Sequence, residues 1–336
     1  VGFRSAEDIP NTVAPSFAIV STSSADGLHW TVGRALDITG LEGVDITAVV
    51  EGPAGLLAVG RPSGGWCGPS IVAALWTSAD GLTWTRVQPP AESTPSAPFT
   101  GVYTIDAGST GYIATGTLKN GVTPAVWLSG DGKSWRQVPL PKATSGAVVV
   151  DGATDFAGGY VLAGKQLSDS GCREPESTPP LYTPSLWWSA DGKNWTLSKL
   201  PGALPSGAVS VSFIRISDHA LVAIAQDFAE QVWVSNDGRT WRLVKSPPSV
   251  LRSNRVLTNG QRGLAVLDAA NYGDGLTVAT VGDDLTVTTL TQTGDVPIYS
   301  AASSPALPAA FAFGPTGVVA LSEDGLNLWL GVPIAS

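Results

Sequence analysis

Apolar residues in this chain come in short bursts set between clusters of Gly, Pro, Ser, Asn and Asp, the pattern of β-strands joined by turns. Four such strands recur in a fixed order. An apolar strand A precedes a Gly-flanked strand B that ends in a small residue. A loop of variable length follows, then a Trp-bearing strand C, an Asp-Gly turn and a second Trp-bearing strand D. Complete units are read at 46–87, 99–138, 147–198 and 209–244. A degenerate unit at 255–290 has lost both tryptophans and carries Gly282-Asp283-Asp284 in place of the Asp-Gly pair. The last unit, 309–331, stops before its D strand. His29-Trp30-Thr31-Val32, following Asp26-Gly27, is a D strand with no A or B before it.

A repeat split between the two ends is how a ring of sheets buries its last edge. The expected architecture is therefore all-β: a six-bladed β-propeller closed by pairing of N- and C-terminal strands, with Thr31 in one sheet with residues from 309–331. Both 17–22 and 326–331 are candidates for the C position of that closing sheet. Residues 1–15, without periodicity and with two prolines, read as an N-terminal tether, and 16–336 as one propeller domain.

The C–D hairpin is the most regular element. Leu75-Trp76-Thr77-Ser78-Ala79-Asp80-Gly81-Leu82-Thr83-Trp84 returns at 126–135, 186–195 and 232–241, with a shorter relative at 23–30. An Asp-Gly pair between β-rich runs marks a tight hairpin, because Gly accepts positive φ and the carboxylate accepts backbone N–H bonds. Asp26, Asp80, Asp131, Asp191 and Asp237 are accordingly read as structural turn carboxylates, spread over separate units and unable to converge on one ion or substrate. Trp76, Trp84, Trp127, Trp135, Trp187, Trp195, Trp233 and Trp241 are read as packing between neighbouring sheets.

The Ser-x-Asp-Gly-x-x-Trp hairpin resembles the Asp-box (BNR-type) repeat of sialidase-like and sortilin-like propellers, with one residue fewer between Asp and Gly than the usual box. The resemblance implies a propeller over about 300 residues and places the boxes on the face opposite a sialidase active site. It does not bring the catalytic set with it. Phe3-Arg4-Ser5-Ala6-Glu7-Asp8-Ile9-Pro10 is a poor likeness of a sialidase Arg-Ile-Pro motif, and the two further arginines cannot be placed.

Composition narrows the function classes. The net charge is −9, and Lys and Arg form no run, so neither nucleic acid nor an anionic membrane surface is expected as a partner. No apolar stretch reaches the roughly 20 residues of a membrane helix. The chain holds no Met and starts at Val1, so an N-terminal segment is expected to have been removed, and a lipid anchor there is compatible with the reading. With two histidines, His29 and His219, and no Gly-x-Ser-x-Gly, neither a His-based metal cluster nor a Ser-His hydrolase is expected. No cofactor or metal is called for.

The irregular residues fall in B–C and D–A loops, which share one end of each sheet. Arg61, Trp66, Arg173, Glu174, Tyr182, Asp227, Asp268, Tyr272 and Asp274 are the candidate ligand- or partner-binding residues. Cys67 and Cys172, both in B–C loops, are expected to form a disulfide in an oxidising compartment. The expected function is a monomeric, exported or envelope-associated scaffold that binds a protein or glycan partner through that loop end. The alternatives are a sialidase-like glycoside hydrolase and a sortilin-like peptide receptor.

Overall fold

The computed structural model describes residues 2–5, 19–23, 29, 31–41, 44–62, 74–87, 101–118, 123–143, 147–167, 182–202, 210–226, 231–248, 258–260, 263–268, 277–290, 308–314, 317–322 and 328–331. Every regular element among them is a β-strand. No helix is long and apolar enough to cross a membrane among the described residues.

The chain begins with a three-stranded sheet, β1 (Gly2–Ser5), β2 (Ile19–Ser23) and β3 (Thr31–Ala35) in that order. Five four-stranded sheets follow, each in sequence order. They are β4 (Val44–Gly52), β5 (Gly55–Pro62), β6 (Ala74–Ser78) and β7 (Thr85–Val87); then β8 (Gly101–Gly108), β9 (Gly111–Thr117), β10 (Pro124–Ser129) and β11 (Arg136–Val138). The third is β12 (Ala147–Phe156), β13 (Gly159–Leu167), β14 (Tyr182–Ser189) and β15 (Thr196–Leu197). The fourth is β16 (Ser210–Ser217), β17 (Ala220–Gln226), β18 (Gln231–Ser235) and β19 (Arg242–Leu243). The degenerate unit is β20 (Thr258–Gly260), β21 (Gly263–Asp268), β22 (Thr277–Val281) and β23 (Val287–Leu290). A three-stranded sheet, β24 (Pro308–Gly314), β25 (Gly317–Ser322) and β26 (Leu328–Gly331), ends the chain. The fold is all-β, built of antiparallel meanders of the blade type.

The terminal sheets differ from expectation. The described residues form seven sheets, and among them Thr31 lies in β3 beside β2, with no pairing to the strands of 309–331. Seven residues separate β2 from β3 in sequence, and joining strands that close along the chain costs less entropy than recruiting one from its other end. Between β25 and β26 the sequence Ser322-Glu323-Asp324-Gly325 repeats the Ser-x-Asp-Gly pattern, and the two strands pair antiparallel, Leu321 opposite Leu328. In the stretch expected as a tether, Gly2–Ser5 pairs antiparallel with β2, Phe3 opposite Ser21.

The chain divides into two compact units, one of Val1–Gly33, Arg215–Ala220 and Lys245–Ser336, the other of Arg34–Ile214 and Leu221–Val244. In the first, β20 packs beside β24, and Ser217 Oγ donates to Asp283 Oδ1 at 2.5 Å. In the second, β4, β8 and β12 pack side by side, so the sheets fan out from their first strands and their last strands lie outermost.

The cores of this second unit lie between sheets. Leu57, Val59 and Leu75 of one sheet pack with Val102, Ala114 and Trp127 of the next. Ile113, Val126 and Leu128 pack likewise with Val148, Leu162 and Trp187, and Val161, Ala163 and Leu186 with Leu221, Ala223 and Trp233. Trp76, Trp187 and Trp233 are at most 1% exposed. The indole N–H of Trp76 donates to Asp37 O at 3.0 Å and that of Trp233 to Pro201 O at 2.9 Å, which lets so large a side chain bury without an orphaned donor. The tryptophans are thus inter-sheet wedges, as their repeat positions imply.

Candidate functional site

One end of each sheet of the second unit is closed by the Asp-Gly hairpin. In β6–β7, Ser78 Oγ accepts from Gly81 N at 2.9 Å and donates to Asp80 Oδ1 at 3.0 Å, while Asp80 Oδ1 accepts from Leu82 N and Thr83 N, both at 2.8 Å. Asp131, Asp191 and Asp237 accept from the two following backbone N–H groups in the same way. The glycines at the turn, Gly81, Gly132, Gly192 and Gly238, have φ of 73°, 68°, 67° and 70°, the left-handed region that a Cβ disfavours. Those backbone N–H bonds, first from Ser134 and then Lys133, draw the Asp131 carboxyl down to about 2. The equivalent donors likewise lower Asp80 and Asp191. At Asp237, burial opposes the shift, but the N–H groups of Thr240 and Arg239 outweigh it and the carboxyl still falls. These carboxylates are consumed by their own turns. Asp26 lies outside the described residues.

The opposite end of each sheet is where the second strand hands over to the third. Arg61 lies near the end of β5 opposite Asp45, Tyr182 opens β14 opposite Leu167, and Asp268 closes β21 opposite Thr277. All three therefore stand at the expected end of their own sheets. Trp66, Arg173, Glu174, Asp227, Tyr272 and Asp274 lie outside the described residues, as do Cys67 and Cys172 and the disulfide expected of them.

At that same end the first strands carry a feature that the sequence reading missed. The register of β4 against β5 shifts between Ile46 and Ala48, that of β8 against β9 between Val102 and Thr104, and that of β12 against β13 between Val150 and Gly152. One extra residue, Thr47, Tyr103 or Asp151, stands at each bulge. Bulges at equivalent positions in successive strands re-aim a side chain where regular pleating would turn it away, and they cluster near functional sites. Arg61, Thr117 and Lys165 share one position on the second strands, each six residues beyond the opening glycine.

The third sheet shows what such a bulge can hold. Asp151 Oδ1 lies 3.5 Å from Lys165 Nζ, both side chains being 18% exposed, and Asp151 Oδ2 accepts from Val211 N of β16 at 3.1 Å. Burial pushes the Asp151 carboxyl up, and the Lys165 ammonium and the Val211 N–H only partly offset it. The signal available in sequence was a charge breaking an apolar run, Ala147-Val148-Val149-Val150-Asp151.

No protein-family model matches the chain, and no curated protein matches it by sequence. Solved structures similar to it include Zg3597, a family 117 glycoside hydrolase of the marine bacterium Zobellia galactanivorans, at 12% identity and a TM-score of 0.41 over 75% of this chain and 83% of that one. The α-L-arabinanase of Penicillium chrysogenum is similar at 16% identity and a TM-score of 0.40, over 81% and 84%. The sialidase of Trypanosoma rangeli is similar at 14% and 0.40, over 77% of this chain and 46% of that one.

Proposed function

We propose that this chain is a binding protein of propeller type that recognises a protein or glycan partner, without chemistry, at the end of its sheets where the second strand passes to the third. The observation that carries this reading is the asymmetry between the two ends. At one, each described Asp-Gly carboxylate accepts from the backbone N–H groups of its own hairpin. At the other, bulged first strands place Thr47, Tyr103 and Asp151 beside the level of Arg61, Thr117 and Lys165, and the loops of unequal length begin. Export and the Cys67–Cys172 disulfide belong to the same reading.

The test is a glycan array together with capture from an envelope extract. Trp66→Ala with Tyr272→Ala is expected to abolish the binding so found while leaving the melting temperature within a few degrees. Retained binding, or binding that maps to the Asp-Gly turns, refutes the assignment.

One observation favours hydrolysis instead. Asp151 is a buried carboxyl raised above its ordinary range, the condition a general acid requires. Turnover of an aryl glycoside that disappears in Asp151→Asn, in a variant that still folds, would establish that second reading.

A further inference from the structure

The sequence contains no basic run, yet its repeat gathers cations. Between the hairpin glycine and the end of the last strand lie residues 82–87, 133–138, 193–198 and 239–244 of four successive sheets. These 24 residues contain six Lys or Arg and no Asp or Glu. The other 13 Lys and Arg share the rest of the chain with all 28 Asp and Glu. One set of cations directly follows the turn glycine: Lys133, Lys193 and Arg239, all exposed. The other set sits on the last strands: Arg86, half-buried, with Arg136 and Arg242, both exposed.

Among the described residues none of the six forms an ion pair, although Arg86 stands near enough to Asp37 to help lower its carboxyl. Arg86 donates to the carbonyl of Thr39 at 2.7 Å and Arg136 to that of Asp191 at 3.4 Å, both neutral acceptors. The Arg239 guanidinium lies over the Trp188 ring, 3.6 Å from its centroid. The turn aspartates Asp80, Asp131, Asp191 and Asp237 each direct Oδ1 to the backbone N–H groups of their own hairpin. All six cations belong to the second compact unit, on strands that lie outermost in their sheets.

We propose that this outer rim is a second binding surface, distinct from the loop end, and that it takes an anionic polysaccharide. A cation or two per sheet, repeated from one sheet to the next, matches a polymer whose carboxylates are spaced by sugar rings. A phosphodiester strand has a denser charge and binds by stacking its bases on open aromatic faces. Of the four equivalent indoles Trp84, Trp135 and Trp241 are buried and Trp195 is half-buried, and Arg239 covers Trp188. An anionic bilayer rewards apolar insertion beside the cations. Among the described residues, Leu197 is the one large apolar side chain exposed on this rim.

The experiment is affinity electrophoresis of the whole chain in gels containing polygalacturonate, with dextran as the neutral control and a salt series. Binding is expected in polygalacturonate and not in dextran, weakening steeply between about 50 and about 200 mM salt. The variant Lys133→Gln, Arg136→Gln, Lys193→Gln, Arg242→Gln spares the two cations with the closest contacts and is expected to bind at least about tenfold more weakly. Lys133→Arg with Lys193→Arg, which keeps the charge, is expected to bind as the parent does. Absence of polygalacturonate binding overturns the proposal. So does unchanged binding by the four-site variant, or equal or tighter retention by a single-stranded oligodeoxynucleotide or by phosphatidylglycerol vesicles. The Trp66/Tyr272 variant leaves this rim intact, so the two surfaces fail or succeed separately.

Discussion

Tyr112 Oη donates to the carbonyl oxygen of Gly55 across 2.7 Å, a bond from the second strand of one sheet to the turn of the sheet before it. The same ring lies against Gly52, where an added Cβ would come within 2.6 Å of it. Burial also raises the Tyr112 phenol, which keeps it a donor throughout the neutral range. Tyr112→Phe is expected to lose about 1 kcal/mol, the net worth of one hydrogen bond, measured by urea unfolding. Gly52→Ala is expected to cost more, since the aromatic ring must move.

The turn glycines give a ranked pair. At Gly132 (φ 68°) an added Cβ meets the methyl of half-buried Thr77 at 3.3 Å, tight enough that it must give by a few tenths of an ångström, so Gly132→Ala carries chiefly the backbone cost of about 1 kcal/mol. At Gly238 (φ 70°) the Cβ comes within 2.8 Å of Val161, a 0% exposed side chain with little room to yield. Gly238→Ala should therefore be the worse of the two, and equal midpoints in urea would refute the ordering.

Acid should loosen the hairpins in a defined window. The folded-state carboxyl of Asp131 titrates near 2 against an ordinary 3.8, so its stabilisation is complete above 3.8 and is lost as pH falls towards 2. Asp80, Asp191 and Asp237 shift in the same direction. Asp131→Asn is expected to melt below the parent at neutral pH, with the gap narrowing through this window. A constant gap down to pH 2 would mean that the carboxylate charge plays no part.

Asp151 runs the opposite way. Its carboxyl is raised, so its contribution is most favourable below 3.8 and declines as pH rises through the folded-state value. Lys165→Met strands this carboxylate among mostly buried neighbours and is expected to cost about 3–5 kcal/mol at neutral pH. Asp151→Val with Lys165→Met should restore much of that loss. Simple additivity in the double-mutant cycle would show that the two do not act as a pair.

What the sequence disclosed and what it withheld have separate physical causes. Strand pattern, Asp-Gly turns and tryptophan wedges are local or strictly repeated, so β6–β7 or β10–β11 can be read from ten residues. The bulges at Thr47, Tyr103 and Asp151 are register shifts between two strands, and of the three only Asp151, a charge in an apolar run, leaves a mark in the sequence. Likewise, the pairing of Phe3 with Ser21 rests on a four-residue strand too short to show periodicity. The last unit was legible as three strands without a D strand, and β24, β25 and β26 form a three-stranded sheet. The cations of the rim escaped a search for basic runs because each sheet carries only one or two of them and successive sheets lie some fifty residues apart in sequence. Of the expected binding residues, Arg61, Tyr182 and Asp268 stand at the end assigned to them in their own sheets.

The outermost strands of the four complete Trp-bearing sheets span only two or three residues: Thr85–Val87, Arg136–Val138, Thr196–Leu197 and Arg242–Leu243. A foreign strand arriving at such an edge finds ladder positions for two or three residues and then a loop. Three of the four edges also present an arginine, which an incoming apolar segment must desolvate. Sheet growth therefore stops at the boundary of the molecule. A chain with 43% hydrophobic residues and a dozen tryptophans gains a colloidal safeguard from the brevity of its own last strands.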